Sequence, residues 1–452
     1  MSPEQIIDRI RGASSPRVKL AVVDIDGVLR GKYVRTEKFL SAVDKGFGFC
    51  NVIFGWDAAD VCYENSTYTG WHTGYPDAHA RIDLSTFREV PWDDDVPFFL
   101  ADFEQSDGSP LPICPRRLLR GVIDRAADMG YRAFFGPEFE WFNFRETPQS
   151  LADGNIHRPQ PITPGMFGYS LLRAQENQAF FAAIMNELEA FGVPVEGLHT
   201  ETGPGVFEAA ISAAPALEVA DRSVLFKAGV KDIARRFGIV PSFMAKWNAE
   251  LPGCSGHLHQ SLWDLEGKSN LFHQADAPHQ MSPLFEHYLA GLMHCLPEIL
   301  PVYAPTVNSF KRLVEGMWAP TTVTWGIENR TTALRVIPGG QKSHRVELRV
   351  PGSDINPYLA IAGALASGLY GIEHKLTLQS APVTGNGYTV EGAPKLPGSL
   401  PEATERMAAS PVARAVLGDA FVDHFAETRR WEWRQFAQAV TSWELERYFE
   451  II

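Results

Sequence analysis

The sequence predicts an α+β protein with a small N-terminal domain and a large C-terminal domain. Three observations support this. Apolar segments such as Phe135–Phe144 and Val206–Ile211 have the residue types and alternation of strands. Other segments, such as Gln175–Phe191, carry an apolar stripe at helical spacing and end at a glycine. The stretch Asp107–Pro115 is rich in proline, glycine and serine, which predicts a boundary between residues 1–110 and residues 111–452.

The N-terminal part begins with a predicted amphipathic helix at Ser2–Gly12 and an apolar strand at Val18–Val23. The strand runs into Asp24-Ile25-Asp26-Gly27. This pattern resembles the nucleophile motif of haloacid-dehalogenase-type phosphatases. It also suits a plain strand-to-turn segment, because Asp and Gly favour turn geometry. The segment by itself leaves both interpretations open.

Three further helices are predicted in the C-terminal part, at Arg116–Met129, Leu217–Phe237 and Tyr358–Ile372. The last is apolar but too short and too rich in Ala and Gly for a bilayer span, so we expect a buried helix and no membrane partner. The chain ends in an aromatic and charged segment, Phe421–Phe449, whose pattern predicts helices that pack as a final bundle.

Composition limits the possible partners and compartment. The net charge of −13 over 452 residues makes a nucleic-acid partner unfavourable. The five cysteines are an odd number without a Cys-x-x-Cys pair, which indicates free thiols in a reducing compartment. The N-terminus has no basic region followed by an apolar run, so no signal peptide is predicted and we expect a cytoplasmic protein.

The most informative stretch is Gly136-Pro137-Glu138-Phe139-Glu140. On a strand, Glu138 and Glu140 point to the same face. Two neighbouring carboxylates in an aromatic strand repel each other and are penalised by desolvation. They therefore share a proton or hold a cation, unless the strand is an edge with both glutamates in solvent.

Other segments supply possible partners for a cation. Val195–Glu201 and Val206–Ile211 are predicted strands joined at Gly203-Pro204-Gly205, which brings Glu201 near Glu208. Glu196 and His199 lie on the first of these strands.

Two later segments add imidazoles and charged groups. The segment Ser255–Ser261 places His257 and His259 on one face if it is extended. Arg345–Arg349 alternates so that its two arginines share a face with Glu347.

Together these segments form an oxygen-rich ligand set with one imidazole, which suits magnesium or manganese better than structural zinc. A dense basic set follows between residues 311 and 349. Arginines beside divalent cations are what phosphoryl transfer requires. No Gly-x-x-x-x-Gly-Lys-Ser/Thr loop is present, so a P-loop enzyme is not predicted.

Across nearly its whole length the chain resembles glutamine synthetase, because separated motifs occur in that family's order. The Asp-x-Asp-Gly segment falls where the family has the first strand of a small β-grasp domain, and no phosphatase motifs follow it. The matching motifs are Gly136–Glu140, His199–Glu208, Ser255–Ser261, Asn308–Val314, Asn329–Arg335, Arg345–Arg349 and Asn356–Ala360.

The resemblance implies a β-grasp domain followed by a catalytic domain with an antiparallel sheet flanked by helices. It implies that the γ-carboxylate of glutamate attacks ATP, and that an amine then displaces phosphate from γ-glutamyl phosphate. It also implies two or three Mg²⁺ or Mn²⁺ ions per site and a homododecamer of two hexameric rings, with sites between subunits.

The resemblance further implies roles for individual residues. One metal would be held by Glu140, Glu201 and Glu208, and a second by Glu138, His257 and Glu347. Phosphoryl charge would be stabilised by Arg330, Arg335 and Arg345, and the carboxylates of glutamate by Arg312 and Arg349. The nucleotide side would include Glu196, His259, Ser261 and Lys342. Asp57 would reach the acceptor site from a neighbouring subunit and take the proton of the amine.

Three departures from the family concern the substrates. Trp318 stands where glutamine-forming members carry a flap glutamate, and Met166 stands at the place of an ammonium-site tyrosine, with Tyr169 close by. Gly253-Cys254-Ser255-Gly256 is one residue shorter than its counterpart, which affects a contact to the amino end of glutamate.

Because Trp and Met offer apolar surface rather than anionic partners, we expect an organic, partly apolar amine as acceptor. The alternative is an ammonia-using glutamine synthetase with Trp318 as flap packing. A more remote alternative is a non-catalytic structural homologue.

Overall fold

A computed structural model describes residues 1–452. The N-terminal part is a six-stranded sheet with two helices, α1 (Pro3–Arg11) and α2 (Thr36–Lys45). The strand order is β2-β1-β6-β4-β3, and β5 also pairs with β6. Only β1 and β6 run parallel. The strands are β1 (Arg17–Val23), β2 (Leu29–Arg35), β3 (Phe47–Cys50), β4 (Asp77–Ile82), β5 (Arg88–Val90) and β6 (Val96–Glu104).

The Asp-x-Asp-Gly segment is a turn between β1 and β2. The Asp24 carboxylate accepts the backbone N–H groups of Asp26 and Val28 and pairs with Arg30 at 2.8 Å. Gly27 has φ +81, and a Cβ there would lie 2.9 Å from the Cα of Asn356, so the turn requires glycine. The strand-to-turn interpretation is confirmed.

The larger sheet has nine strands in the order β13-β14-β15-β12-β7-β9-β8, with β10 and β11 also paired to β7. All pairs are antiparallel except β13 with β14. The strands are β7 (Tyr131–Phe144), β8 (Val195–Thr200), β9 (Val206–Ile211), β10 (Ala214–Pro215), β11 (Val240–Ser242), β12 (Gly256–Asp264), β13 (Trp325–Ile327), β14 (Leu334–Ile337) and β15 (Arg345–Leu348).

Helices cover this sheet, which gives the predicted α+β architecture. The helix α10 is buried along nearly its whole length, as predicted, and no helix is both long and apolar enough to span a membrane. The helices are α3 (Pro115–Asp128), α4 (Pro148–Ala152), α5 (Leu171–Glu176), α6 (Gln178–Ala190), α7 (Ala216–Arg235), α8 (Pro283–Cys295), α9 (Val307–Arg312), α10 (Pro357–Glu373), α11 (Leu400–Ala409), α12 (Pro411–Leu417), α13 (Asp419–Gln438) and α14 (Ser442–Tyr448).

Two helix predictions are corrected. The segment predicted as one helix at Gln175–Phe191 breaks at Asn177, whose φ of −117 and ψ of 27 are not helical. The predicted C-terminal bundle is wrong for α14, which has no buried residue. Ala439 ends α13 in an extended conformation, and Thr441 caps a new, exposed helix.

The two sheets share a core. One face of the N-terminal sheet packs in a small core around Phe39, Phe99 and Phe103. Residues on its other face, such as Val23 and Phe98, belong to the large core of the C-terminal part. The buried guanidinium of Arg116 joins carboxylates from both parts of the chain, namely Asp83, Asp102 and Asp221. The division at residue 110 stays a prediction.

Candidate active site

Strand register brings the predicted ligands together. In the larger sheet, His257 of β12 lies opposite Glu138 of β7, and Glu140 lies opposite Glu208 of β9. On the other side of β12, His259 lies opposite Glu347 of β15. One strand, β7, therefore supplies a carboxylate to each of two clusters.

The first cluster forms around Glu347, which is almost fully buried. His257 Nδ1 lies 3.4 Å from Glu347 Oε1 and 3.7 Å from Glu138 Oε2. Arg335 donates to Glu347 at 3.0 Å, and Arg349 also donates to it. Nδ1 is the ring nitrogen that faces both carboxylates, so a cation shared with them would take the lone pair of Nδ1, with the ring proton on Nε2.

The charges of this cluster keep its carboxylates ionised. Burial by itself would raise the pKa of Glu347, but the Arg349 charge and the neighbouring histidines lower that pKa to about 2. Burial opposes ionisation of Glu138 too, yet hydrogen bonds from His257 and His259 hold its pKa well below the ordinary value. Burial, and then the charge of Arg349, lower the pKa of His257, which favours the neutral form that binds metals.

The second cluster contains Glu140, Glu201, Glu208 and His199. His199 Nε2 lies 3.5 Å from Glu208 Oε1, and Nδ1 lies 3.9 Å from Glu201 Oε1. Burial and then repulsion from Glu208 raise the pKa of Glu140 to about 8. Burial would lower the pKa of His199, but hydrogen bonding to Glu208 raises it to about 9.

The donor set of both clusters fits hard divalent cations. Crowded carboxylates with one or two imidazoles suit Mg²⁺ or Mn²⁺. Potential ligand atoms of Glu138, His259 and Glu347 lie within 4.8 Å of one another, as do those of His199, Glu201 and Glu208.

Both clusters face one cavity of about 560 Å³. Its other walls bring together arginines from separate loops and strands with apolar side chains from the segment after α9. These wall residues are Arg330, Arg335, Arg349, Gly253, Tyr169, Met317 and Trp318.

A neighbouring cavity of about 360 Å³ shares Glu138 with the first. Phe134 and Trp263 add aromatic surface to it, and Arg345 Nε donates to His259 Nδ1 at 3.0 Å. The four residues predicted for the nucleotide side line this cavity together with Arg345: Glu196, His259, Ser261 and Lys342.

Three predicted residues line neither cavity. Arg312 is buried behind the wall of the first cavity, where it donates to the backbone oxygen of Val350 and to Ser255 Oγ. Met166 is half exposed and does not line the cavity. Tyr169 does line the first cavity, because its N–H donates to Thr200 O and holds it beside β8.

Asp57, the third of these residues, accepts a hydrogen bond from Trp431 Nε1 at 2.9 Å. It also accepts the backbone N–H groups of Ala59 and Val61. It is therefore part of a loop that packs on α13 and does not reach the cavity of its own chain.

Two residues that line the cavity, His199 and Met317, have no site role among the roles predicted from the sequence. The signal for His199 was present, because a residue two positions before Glu201 on a strand lies on the same face. No comparable signal identified Met317, whose position depends on the path of an irregular loop.

The description "Glutamine synthetase, catalytic domain" is that of a family model that matches residues 112–448. The chain belongs to the glutamine synthetase family.

Individual relatives carry different names. The chain is 54% identical to "Type-1 glutamine synthetase 2" of Dictyostelium discoideum, over 99% of this chain and 86% of the relative. It is 38% identical to "Glutamate--isopropylamine ligase" of a Pseudomonas species, over 99% and 98%. It is 39% identical to the "Gamma-glutamylethanolamide synthetase GlnA4" of Streptomyces coelicolor, over 96% and 92%.

A solved structure of a protein named GmaS, in complex with ADP, superposes with a TM-score of 0.84 at 30% identity. The match covers 98% of this chain and 99% of that one. This superposition supports the arrangement of both sheets in the present structure.

Proposed function

We propose that the protein is an ATP-dependent ligase that joins the γ-carboxylate of glutamate to an amine through γ-glutamyl phosphate. The products are the γ-glutamyl amide, ADP and phosphate. The proposal is supported by two carboxylate clusters that face one arginine-rich cavity, with a second cavity for the nucleotide beside them. Bound divalent cations would supply charge neutralisation and positioning.

The protein's own cations have separate tasks in this proposal. Arg330 and Arg335 line the cavity and would offset the charge of the transferring phosphoryl group, and Arg345 would act from the nucleotide side. Arg349 would hold a carboxylate of glutamate, since a guanidinium can bind a carboxylate in bidentate fashion. Arg312 would help to position Arg349, because the Arg312 guanidinium donates to the backbone oxygen of Arg349.

We propose an organic, partly apolar amine as the acceptor. The observation that carries this proposal is that Trp318 and Met317 line the cavity that both clusters face. Glu315, the acidic residue of the same loop, is exposed and does not line it. An alkyl group makes favourable apolar contacts with an indole and a thioether, whereas ammonium requires anionic or carbonyl partners.

The relatives support both candidate acceptors. Two of them are named for isopropylamine and for γ-glutamylethanolamide, which favours an organic amine. The relative at 54% identity is named a glutamine synthetase, which favours ammonia. Ammonia therefore remains the second candidate.

The test is the release of phosphate from ATP with glutamate, Mg²⁺ and a panel of acceptors. The panel compares ammonia with ethylamine, isopropylamine, ethanolamine and benzylamine, and mass spectrometry identifies each amide. A primary amine with the highest kcat/KM supports the proposal, and ammonia above every amine overturns the choice of acceptor. No turnover with any acceptor, together with no Mg²⁺-dependent nucleotide binding, would favour a structural homologue.

We propose a cytoplasmic homododecamer with sites between subunits. The position of Asp57 supports shared sites, because it lies outside the cavity of its own chain. If sites are shared, mixing the inactive variants Asp57→Asn and Arg335→Gln and allowing them to reassemble restores part of the activity. Activity that stays at the level of the separate variants would contradict shared sites, and light scattering of the wild type gives the subunit number.

A further inference from the structure

A third cavity, of about 630 Å³, shares Met317 with the cavity that both carboxylate clusters face. We call it the side cavity. The chain after β11 supplies Gly253 to the first cavity and Trp247 to the side cavity, and the chain after α9 supplies Trp318 and Val314 in the same way. The two cavities therefore lie side by side between the same pair of segments, with Met317 at their boundary.

Hydrogen bonds and aromatic packing hold the shape of the side cavity. The backbone N–H of Lys246 donates to Asn308 Oδ1 at 2.8 Å, and Asn308 Nδ2 donates to the backbone oxygen of Lys246 at 2.7 Å. The ring centroids of Trp247 and Phe144 lie 4.9 Å apart. These contacts join the segment after β11 to α9 and to β7. A ligand would thus enter a preformed space at little cost in ordering.

Apolar side chains line the side cavity although it opens to solvent. Met244 is 48% exposed and Val314 is 45% exposed, and Trp247 and Ala249 add to the same surface. Contiguous exposed apolar surface commonly marks a ligand-binding groove. Met317, at the boundary, has an unbranched and adaptable side chain. It can turn aside so that one ligand occupies both cavities.

The charged groups that line the side cavity are all cationic. Lys246 and Lys311 line it, and no carboxylate does. Glu250 and Glu315, the acidic residues nearest to the lining in the sequence, are exposed and are not part of it. Lys311 Nζ lies 5.5 Å from the centroid of the Phe436 ring. A second ammonium group on a ligand would be repelled here, since like charges in a partly enclosed site interact over several ångströms.

We propose that the side cavity binds the substituent of the acceptor amine, and that this substituent is an extended apolar group without a second positive charge. The amino group would stay in the first cavity, near the carboxylate clusters, and the chain would pass Met317. Monoamines with a longer alkyl or arylalkyl chain fit this description, whereas diamines and polyamines do not. The inference rests on the proposed amine acceptor and adds its chemical class.

The experiment measures kcat/KM of the full-length enzyme for ethylamine, butylamine, hexylamine and 1,6-diaminohexane. Phosphate release is followed with saturating ATP and glutamate. Each methylene that enters the side cavity should raise kcat/KM about fourfold, so hexylamine should exceed ethylamine at least about tenfold. The value for 1,6-diaminohexane should lie at least about tenfold below that for hexylamine.

Two variants test the cavity itself. Lys311→Glu replaces an exposed cation of its lining with a carboxylate, and should reduce the preference for hexylamine over 1,6-diaminohexane at least about tenfold. Lys268→Glu is the matched control at an exposed lysine that lines neither cavity, and should leave this preference unaltered. Val314→Trp fills the side cavity and should reduce the advantage of hexylamine over ethylamine to less than about threefold.

The possible failures are distinguishable. Either a kcat/KM that does not rise with chain length, or equal values for hexylamine and 1,6-diaminohexane in the wild type, would overturn the inference while the amine acceptor itself stands. Ammonia above every amine, or no turnover with any amine, would overturn the proposed acceptor and the inference with it. The comparison of acceptors with the wild type requires no variant to fold, so it decides the inference by itself.

Discussion

The substitution Trp318→Glu tests how the acceptor is selected. Trp318 is 58% exposed, so much of its indole is free to contact a ligand in the cavity. The residue has φ +60, and a glutamate makes no greater demand on that left-handed backbone because neither side chain is branched at Cβ. The change thus replaces apolar surface with a carboxylate at one position.

The size of the effect follows from the area lost. If the indole covers about two carbons of isopropylamine, removing it costs about 1.6 kcal/mol at about 0.8 kcal/mol per carbon. That corresponds to roughly a fifteenfold loss of kcat/KM. Ammonia has no carbon and loses nothing, so the ratio of kcat/KM for isopropylamine to that for ammonia should fall at least about tenfold.

The ratio is measured directly by competition. Both amines are supplied in one reaction with saturating ATP and glutamate, and the two amides are quantified by mass spectrometry. Trp318→Phe keeps an aromatic ring and should change the ratio less than about threefold, and Glu315→Gln should leave it unaltered. A ratio within about twofold of the wild type in Trp318→Glu would refute the reasoning.

Three further predictions concern metal, domain packing and substrate. The folded pKa of Glu140 is raised to about 8, so the metal-free protein binds an extra proton when folded and loses stability as the pH rises from about 4.5 to about 8. Glu140→Gln should make the thermal unfolding temperature, measured with a chelator, depend less on pH across this range. An unchanged pH dependence would contradict this. Arg116→Met leaves three carboxylates without their shared guanidinium and should destabilise the protein by about 3–5 kcal/mol. Arg9→Ala, which removes an exposed ion pair, should cost less than about 1 kcal/mol. Urea unfolding compares the two variants, and equal losses of unfolding free energy would contradict a role for burial. Arg349→Lys should raise the KM for glutamate at least about tenfold, with little change in the KM for ATP, because an ammonium cannot bind a carboxylate in bidentate fashion. If steady-state kinetics showed both KM values rising together, Arg349 would not be a specific ligand of glutamate.

The parts of the site that depend on local alternation could be predicted from the sequence. Glu138 and Glu140 share a face because a strand has a two-residue period, and the turn between β8 and β9 brings Glu201 to Glu208. The pairing of β12 with both β7 and β15 is a long-range choice that no local pattern encodes.

Other features depend on tertiary contacts. The direction of the Arg312 side chain follows from carbonyl groups that only the folded chain brings near it. The helical spacing of apolar residues continues through Asn177 and into α14. The helix nevertheless breaks at Asn177, and α14 has no buried residue. Apolar residues at helical spacing indicate a helix but not whether another surface will bury it.

The shared use of β7 has a consequence for how this protein can change. Glu138 and Glu140 are two residues apart on one hydrogen-bonded strand, which sets their separation at roughly 7 Å along the chain. Neighbouring strands on both sides hold that spacing, so the distance between the two carboxylate clusters is a property of the sheet. Trp318, in contrast, belongs to an irregular loop with few backbone hydrogen bonds. Mutation can therefore remodel this loop, and with it the acceptor preference proposed above, while the spacing of the two carboxylate clusters stays the same.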